Sequence, residues 1–119
     1  EESCLSLLKG NNIGVLARGP IAKGLLIDKP AESYLNYSSE QVEAAASGIK
    51  KISGKNRTAA QTAIKFVLSN PAISAAVVGI RTAEQLREVL ESVNTPGLTE
   101  GELKMLQQSL PVNYYDQHR

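Results

Sequence analysis

The stretch VVGIRTAEQ, Val77 to Gln85, ends an apolar run on a glycine and then opens onto helix-forming residues. If Val78 ends a strand and Thr82 caps the next helix, Gly79 to Thr82 form a tight turn. The free backbone N–H groups at the start of that helix then point out of the carboxyl end of the sheet, where they and the helix dipole attract anions. Arg81 adds a planar donor fork suited to phosphate. One turn further on, Gln85 and Glu88 project from the same helix face. A plain structural account fits the same residues: Gln85 as a capping side chain, Arg81 as a solvated cation, Glu88 as a partner for a neighbouring arginine. Spacing alone leaves both open.

A second candidate is ARGPIAKGLL, residues 17–26. Gly19 and Gly24 let backbone come close to a ligand, and Lys23 can pair with a phosphate. The alternative is a surface loop whose glycines only turn the chain. The two stretches gain weight together because each follows a predicted strand. In parallel α/β folds the loops after the strands share one face of the sheet, so a diphosphate-bearing ligand could lie across both.

The elements that must position these loops can be placed from pattern. Residues 2–9 read as a helix stopped at Gly10. The runs IGVLA, 13–17, and ISAAVV, 73–78, read as short buried strands. Residues 18–38 hold two glycines and two prolines without a sustained period, and predict a long loop. Four further helices begin with one device: Ser38 with Gln41, Thr58 with Gln61, Thr82 with Gln85 and Thr99 with Glu102 match the capping-box spacing. Apolar residues then recur at helical intervals: Val42, Ala45, Ala46 and Ile49; Ala60, Ile64, Val67 and Leu68; Leu86, Val89, Leu90 and Val93; Leu103, Leu106 and Leu110. Strands alternating with helices predict an α/β fold with a parallel sheet. Two strands do not make a stable parallel domain, so the expected fold is incomplete.

Bulk properties narrow the function classes. With 119 residues the chain has room for one domain. A net charge of +1 with 21% charged residues carries no basic excess for nucleic acid and no polybasic tract for a membrane. No apolar run reaches the length of a membrane span. The single cysteine, Cys4, excludes an internal disulfide and points to a reducing, cytoplasmic compartment. Cys4 itself is expected to be a small buried helix residue. Aromatics at 4% are thin for a self-contained core, and EESCLSLLKG reads as the later part of a helix.

IGVLARGPIAKGLL and AIKFVLSNPAISAAVVGIRTAEQLREVL together resemble the carboxyl-terminal part of the aldo-keto reductases, over residues 3–108. The resemblance implies a partial (β/α)8 TIM barrel, with this chain, 1–119, supplying the last two parallel strands and their helices within a single barrel domain. It implies NADP(H) as cofactor. The loop after the seventh barrel strand runs along the nicotinamide and pyrophosphate, a role that falls on Arg18, Gly19, Pro20, Ile21 and Lys23. The turn and helix after the eighth hold the 2′-phosphate and adenine, a role that falls on Gly79, Ile80, Arg81, Gln85 and Glu88. Two positions depart from the family: Arg18 stands where many members stack an aromatic on the nicotinamide, and Val89 where an asparagine often contacts adenine.

The family's catalytic Asp, Tyr, Lys and His belong to the first half of the barrel, and no residue here corresponds to them. His118 is expected to be an exposed bystander, and Tyr34, Tyr37, Tyr114 and Tyr115 to pack or face substrate. No catalytic residue and no metal ligand is assigned. The resemblance implies reduction of a small carbonyl compound to an alcohol by hydride transfer. The chain alone is expected to be inactive, and to form a homo-oligomer or associate with the rest of the barrel. Rival classes are a non-catalytic NADP(H)-binding module and a purely structural, reductase-like fragment.

Overall fold

A computed structural model describes residues 2–113, with Glu2 by its backbone only. Tyr114, Tyr115 and His118 lie outside the described residues. The order is α1 (Glu2–Gly10), β1 (Val15–Arg18), α2 (Ser39–Ile52), α3 (Ala59–Leu68), β2 (Ile73–Val77), α4 (Ala83–Glu91) and α5 (Glu100–Gln107). Short 3-10 turns occupy Ala22–Gly24 and Ser92–Asn94.

The strands pair in parallel, with Leu16 opposite Ala75, Ala17 opposite Ala76 and Arg18 opposite Val77, after an irregularity between Val15 and Leu16. β1 begins two residues later than its apolar run suggests. Ile13 is held by the end of α1, where its N–H donates to the Leu8 carbonyl at 2.9 Å. Asn12, at φ 58°, makes the left-handed step out of that helix. Gly14 allows the strands to close, since a Cβ there would stand 2.9 Å from Ser74 Oγ.

Three capping boxes close as their spacing predicts, at Ser38/Gln41, Thr58/Gln61 and Thr99/Glu102. In each, a hydroxyl accepts from the third helical N–H and the side chain there accepts the N-cap N–H, satisfying two donors that helix geometry leaves open. The fourth box is only half formed. Thr82 Oγ1 accepts the Gln85 N–H at 3.2 Å, but Gln85 Oε1 takes the Arg81 N–H at 2.9 Å instead of that of Thr82.

The faces of α2 and α3 bury as their periodicity requires, through Val42, Ala45, Ala46, Ile49, Ala60, Ala63 and Ile64. Ile49, Ala63 and Leu106 meet in one cluster, joining α2, α3 and α5. On α4 and the 3-10 turn after it the pattern misleads. Leu86, Leu90 and Val93 stay exposed, Val93 by 79%, because no described element covers that stripe. Leu68 is exposed as well, and Cys4 is exposed, not buried as expected.

Sequence pattern did not single out Arg57, which is 6% exposed. Its Nε donates to Thr62 Oγ1 at 3.1 Å; Nη1 donates to the carbonyls of Pro96 and Gly97 at 3.2 and 3.0 Å. Nη2 donates to the Ile52 carbonyl at 3.4 Å and to Glu102 Oε1 at 2.8 Å. The guanidinium thus joins the end of α2, the start of α3 and the start of α5. Glu102 also accepts the Thr99 N–H at 2.7 Å. That backbone bond, against some desolvation and with help from Arg57, holds its carboxyl below the usual carboxylate value.

Two outcomes follow for stability. Arg57→Ala removes five bonds and leaves buried acceptors unpaired, and should lower unfolding free energy by about 2–4 kcal/mol in urea titration. An unchanged midpoint would show that water replaces the guanidinium without loss. The second outcome concerns acid. A depressed folded-state pKa contributes stability that is present above the unfolded value, about 4.3 for Glu, and lost as pH falls through the folded value. Glu40, lowered chiefly by its hydrogen bond with Ser38, and Glu84, lowered chiefly by its own backbone N–H, contribute with the same sign. Denaturation midpoints measured from neutral pH to acid should fall in that window, and Glu102→Gln should flatten part of the fall while lowering the neutral-pH midpoint.

Candidate cofactor site

Because β1 and β2 run in parallel and in register, their carboxyl ends lie together, with Arg18 opposite Val77. The Gly19–Gly24 loop and the Val78–Thr82 turn therefore leave the sheet from one edge. This is the arrangement that the two candidate stretches require.

The loop after β1 is folded, not slack. Pro20 and Gly24 are buried, and Leu25, at 2% exposure, is among the most deeply buried side chains of the described residues. Ile21 and Leu26, both half-buried, pack against the Ile49–Ala63–Leu106 cluster. Gly19 and Gly24 take φ of 68° and 96°, and Ala22 and Lys23 take 45° and 59°. Positive φ is routine for glycine but costs energy at alanine and lysine, and survives only where packing dictates it. Lys23 is exposed, its Nζ 5.7 Å from the centre of the Tyr34 ring. Arg18 is exposed at the strand end.

In the second stretch Gly79, Ile80 and Arg81 are exposed, and among the described residues, the chain neighbours of Gly79 aside, no atom lies within 4 Å of a Cβ built on it. Gln85 braces the turn through its bond to the Arg81 N–H. Gln85 and Glu88 line one open groove of about 440 Å³ between α3 and α4, together with Thr58, Gln61 and Glu91. Gln61 Nε2 donates to the Glu88 carbonyl at 2.9 Å, fixing one helix against the other. Arg87 and Glu84 approach to 3.8 Å on the surface, a contact of little energetic weight. Among the described residues Arg81 makes no ion pair.

The structure thus gathers Gln85 and Glu88 on one groove, ties Arg81 to Gln85, and brings both loops to one edge. The loops make no hydrogen bond to each other among the described residues. Two groove residues, Thr58 and Gln61, escaped sequence reasoning because their capping-box spacing already accounted for them. Sequence alone gives Tyr34 a packing or substrate-facing role but not its contact with Lys23, which depends on the path of the intervening loop. No cluster of ligands arranged for a metal is found among the described residues.

Two parallel strands with helices packed on them, and loops leaving from the carboxyl edge, form a parallel α/β unit. Residues 1–111 match the Aldo/keto reductase family, and the chain belongs to that family of oxidoreductases. It is 34% identical to the uncharacterized oxidoreductase YqkF of Bacillus subtilis (strain 168), an alignment covering 99% of this chain and 41% of that protein. It is 29% identical to L-galactose dehydrogenase of Arabidopsis thaliana, over 75% of this chain and 28% of that protein. The holo form of aldo-keto reductase AKR11C1 from Bacillus halodurans superimposes with a TM-score of 0.84 at 25% identity, covering 99% of this chain and 41% of that one. The chain therefore spans about 41% of the length of these bacterial relatives. Enzymes of this family generally use NAD(P)H. Among the described residues no helix is long and apolar enough to cross a membrane.

Proposed function

We propose that this chain is the carboxyl-terminal, NADP(H)-binding portion of an aldo-keto reductase that reduces an aldehyde or ketone to an alcohol in the cytoplasm. The observation that carries this is the position of Arg81. It is an exposed guanidinium without an ion partner among the described residues, braced by Gln85 at the carboxyl edge of the sheet, beside a groove lined by Gln85 and Glu88. The residues present fit a dinucleotide with a 2′-phosphate. Arg81 offers two parallel donors to the phosphate, Glu88 can accept from the adenine amino group, and Gly79 leaves room for backbone to approach. Gly19 and the exposed Lys23 serve the diphosphate on the neighbouring loop.

When bound, NADPH supplies the hydride. This chain's own residues bind and orient: Arg81 separates a phosphate from a bare hydroxyl, and the Gly19–Gly24 loop presents a fixed backbone. The proton-donating tyrosine and its lysine belong to the earlier part of the barrel. The exposed stripe Leu86, Leu90 and Val93, with Leu16 and Val77 on the sheet, is the surface that closes against that part. The 41% coverage of the relatives supports this assignment.

In the full-length protein, Arg81→Ala should weaken NADPH by about 1.5–3 kcal/mol, the scale of hydrogen bonds to charged groups, and leave NADH nearly unchanged. Fluorescence titration of both dinucleotides tests this, and equal losses for the two would remove Arg81 from the role. The 119-residue chain by itself should show no steady-state oxidation of NADPH with aldehydes or ketones. Turnover that persists after contaminating reductase is removed would mean that a catalytic group resides on this chain.

A further inference from the structure

Lysine is ordinarily a poor choice for a fixed cation, because four rotatable carbons separate its charge from the backbone. Lys23 is restrained at both ends. Its backbone sits at φ 59°, ψ 18°, next to Ala22 at φ 45°. The residues on either side of that pair, Pro20, Gly24 and Leu25, are buried. Its ammonium lies 5.7 Å from the centroid of the Tyr34 ring, within the range of cation–π attraction.

The ring is itself anchored. Tyr34 and Tyr37 exchange backbone hydrogen bonds, both at 3.1 Å, in a narrow turn with Leu35 at its tip. Tyr37 Oη donates to the Pro111 carbonyl at 3.1 Å, fastening that turn to the segment after α5. A restrained cation on a strained loop costs conformational energy and returns little stability at an exposed site. It makes sense if a ligand then binds a charge whose ordering is already complete.

Resting on the function proposed above, we propose that Tyr34 is a positioning residue: its ring face holds the Lys23 ammonium at the carboxyl edge of the sheet, ready for the diphosphate of the dinucleotide. Every pyridine dinucleotide carries that diphosphate, so Tyr34 serves NADPH and NADH alike, in contrast to Arg81. The phenol oxygen plays no part in holding the cation; the π face does.

The test is a titration of the full-length protein with NADPH and with NADH. Tyr34→Leu should raise both dissociation constants about 2- to 5-fold, the fold-change equivalent to an exposed cation–π contact. Tyr34→Phe, which keeps the ring face, should leave both unchanged. Lys23→Met should raise both, and adding Tyr34→Leu to Lys23→Met should have no further effect. Circular dichroism and the thermal midpoint check that each variant is folded. If Tyr34→Leu fails to fold, Tyr34→Met replaces it.

Unchanged affinity in folded Tyr34→Leu, equal losses with and without Lys23, or a loss in Tyr34→Phe would each overturn the proposal. Wild-type protein that binds neither dinucleotide would overturn the functional assignment and this proposal together. A protein that binds NADPH normally but is indifferent to Tyr34 would overturn this proposal alone.

Discussion

The buried guanidinium of Arg57 is the constraint on which the rest of the arrangement depends. Among the described residues five of the buried apolar side chains are alanines, Ala45, Ala46, Ala60, Ala63 and Ala72, beside Leu25, Val42, Ile49, Ile64 and Leu106. Alanines let helices approach closely but bury little area each, so the apolar core has a small margin. Arg57 compensates by polar means, with a planar fork whose donors all meet oxygen. Burying a cation is costly, and the ion pair with Glu102 does not guarantee a net gain in stability. The contribution is geometric: acceptors from three parts of the chain are drawn to one point.

That geometry reaches the carboxyl edge of the sheet through packing. Arg57 seats the start of α5 against the α2–α3 junction, and α5 carries Leu106 into contact with Ile49 and Ala63. Ile21 and Leu26 lie on that cluster. They and the buried Leu25 hold the loop in which Ala22 and Lys23 take positive φ. A strained loop persists only when its surroundings over-determine it. Here the surroundings are a small core tied by one arginine.

The two loops at the sheet edge present their cations differently. On α4 the capping residue Gln85 shifts by one position and braces the backbone of Arg81, whose guanidinium makes no ion pair among the described residues. After β1 the backbone is braced by burial and the ammonium of Lys23 rests on an aromatic face. Both replace side-chain freedom with prior order, the condition under which a surface charge binds a phosphate without a large entropic cost.

Local rules determined much of this from sequence alone. Capping hydroxyls place the starts of α2, α3, α4 and α5, because the N-terminal N–H groups of a helix have no partner within it. The two apolar runs place the strands to within two residues, and the candidate loops follow from the rule that ligands meet the ends of parallel strands. Only tertiary structure decided what depends on distant parts of the chain. Arg57 lies in a turn of ordinary composition, SGKNRT, and its acceptors at Pro96, Gly97 and Glu102 are invisible to local pattern. The Leu86, Leu90 and Val93 stripe has the period of a buried face yet stays exposed, since period specifies which residues share a face and not what covers it. Gln85 leaves the expected box because the turn brings the Arg81 N–H within its reach, and Lys23 meets Tyr34 because the folded loop returns to it. Periodicity and capping act within a few residues; burial and long-range hydrogen bonding exist only once the chain has closed on itself.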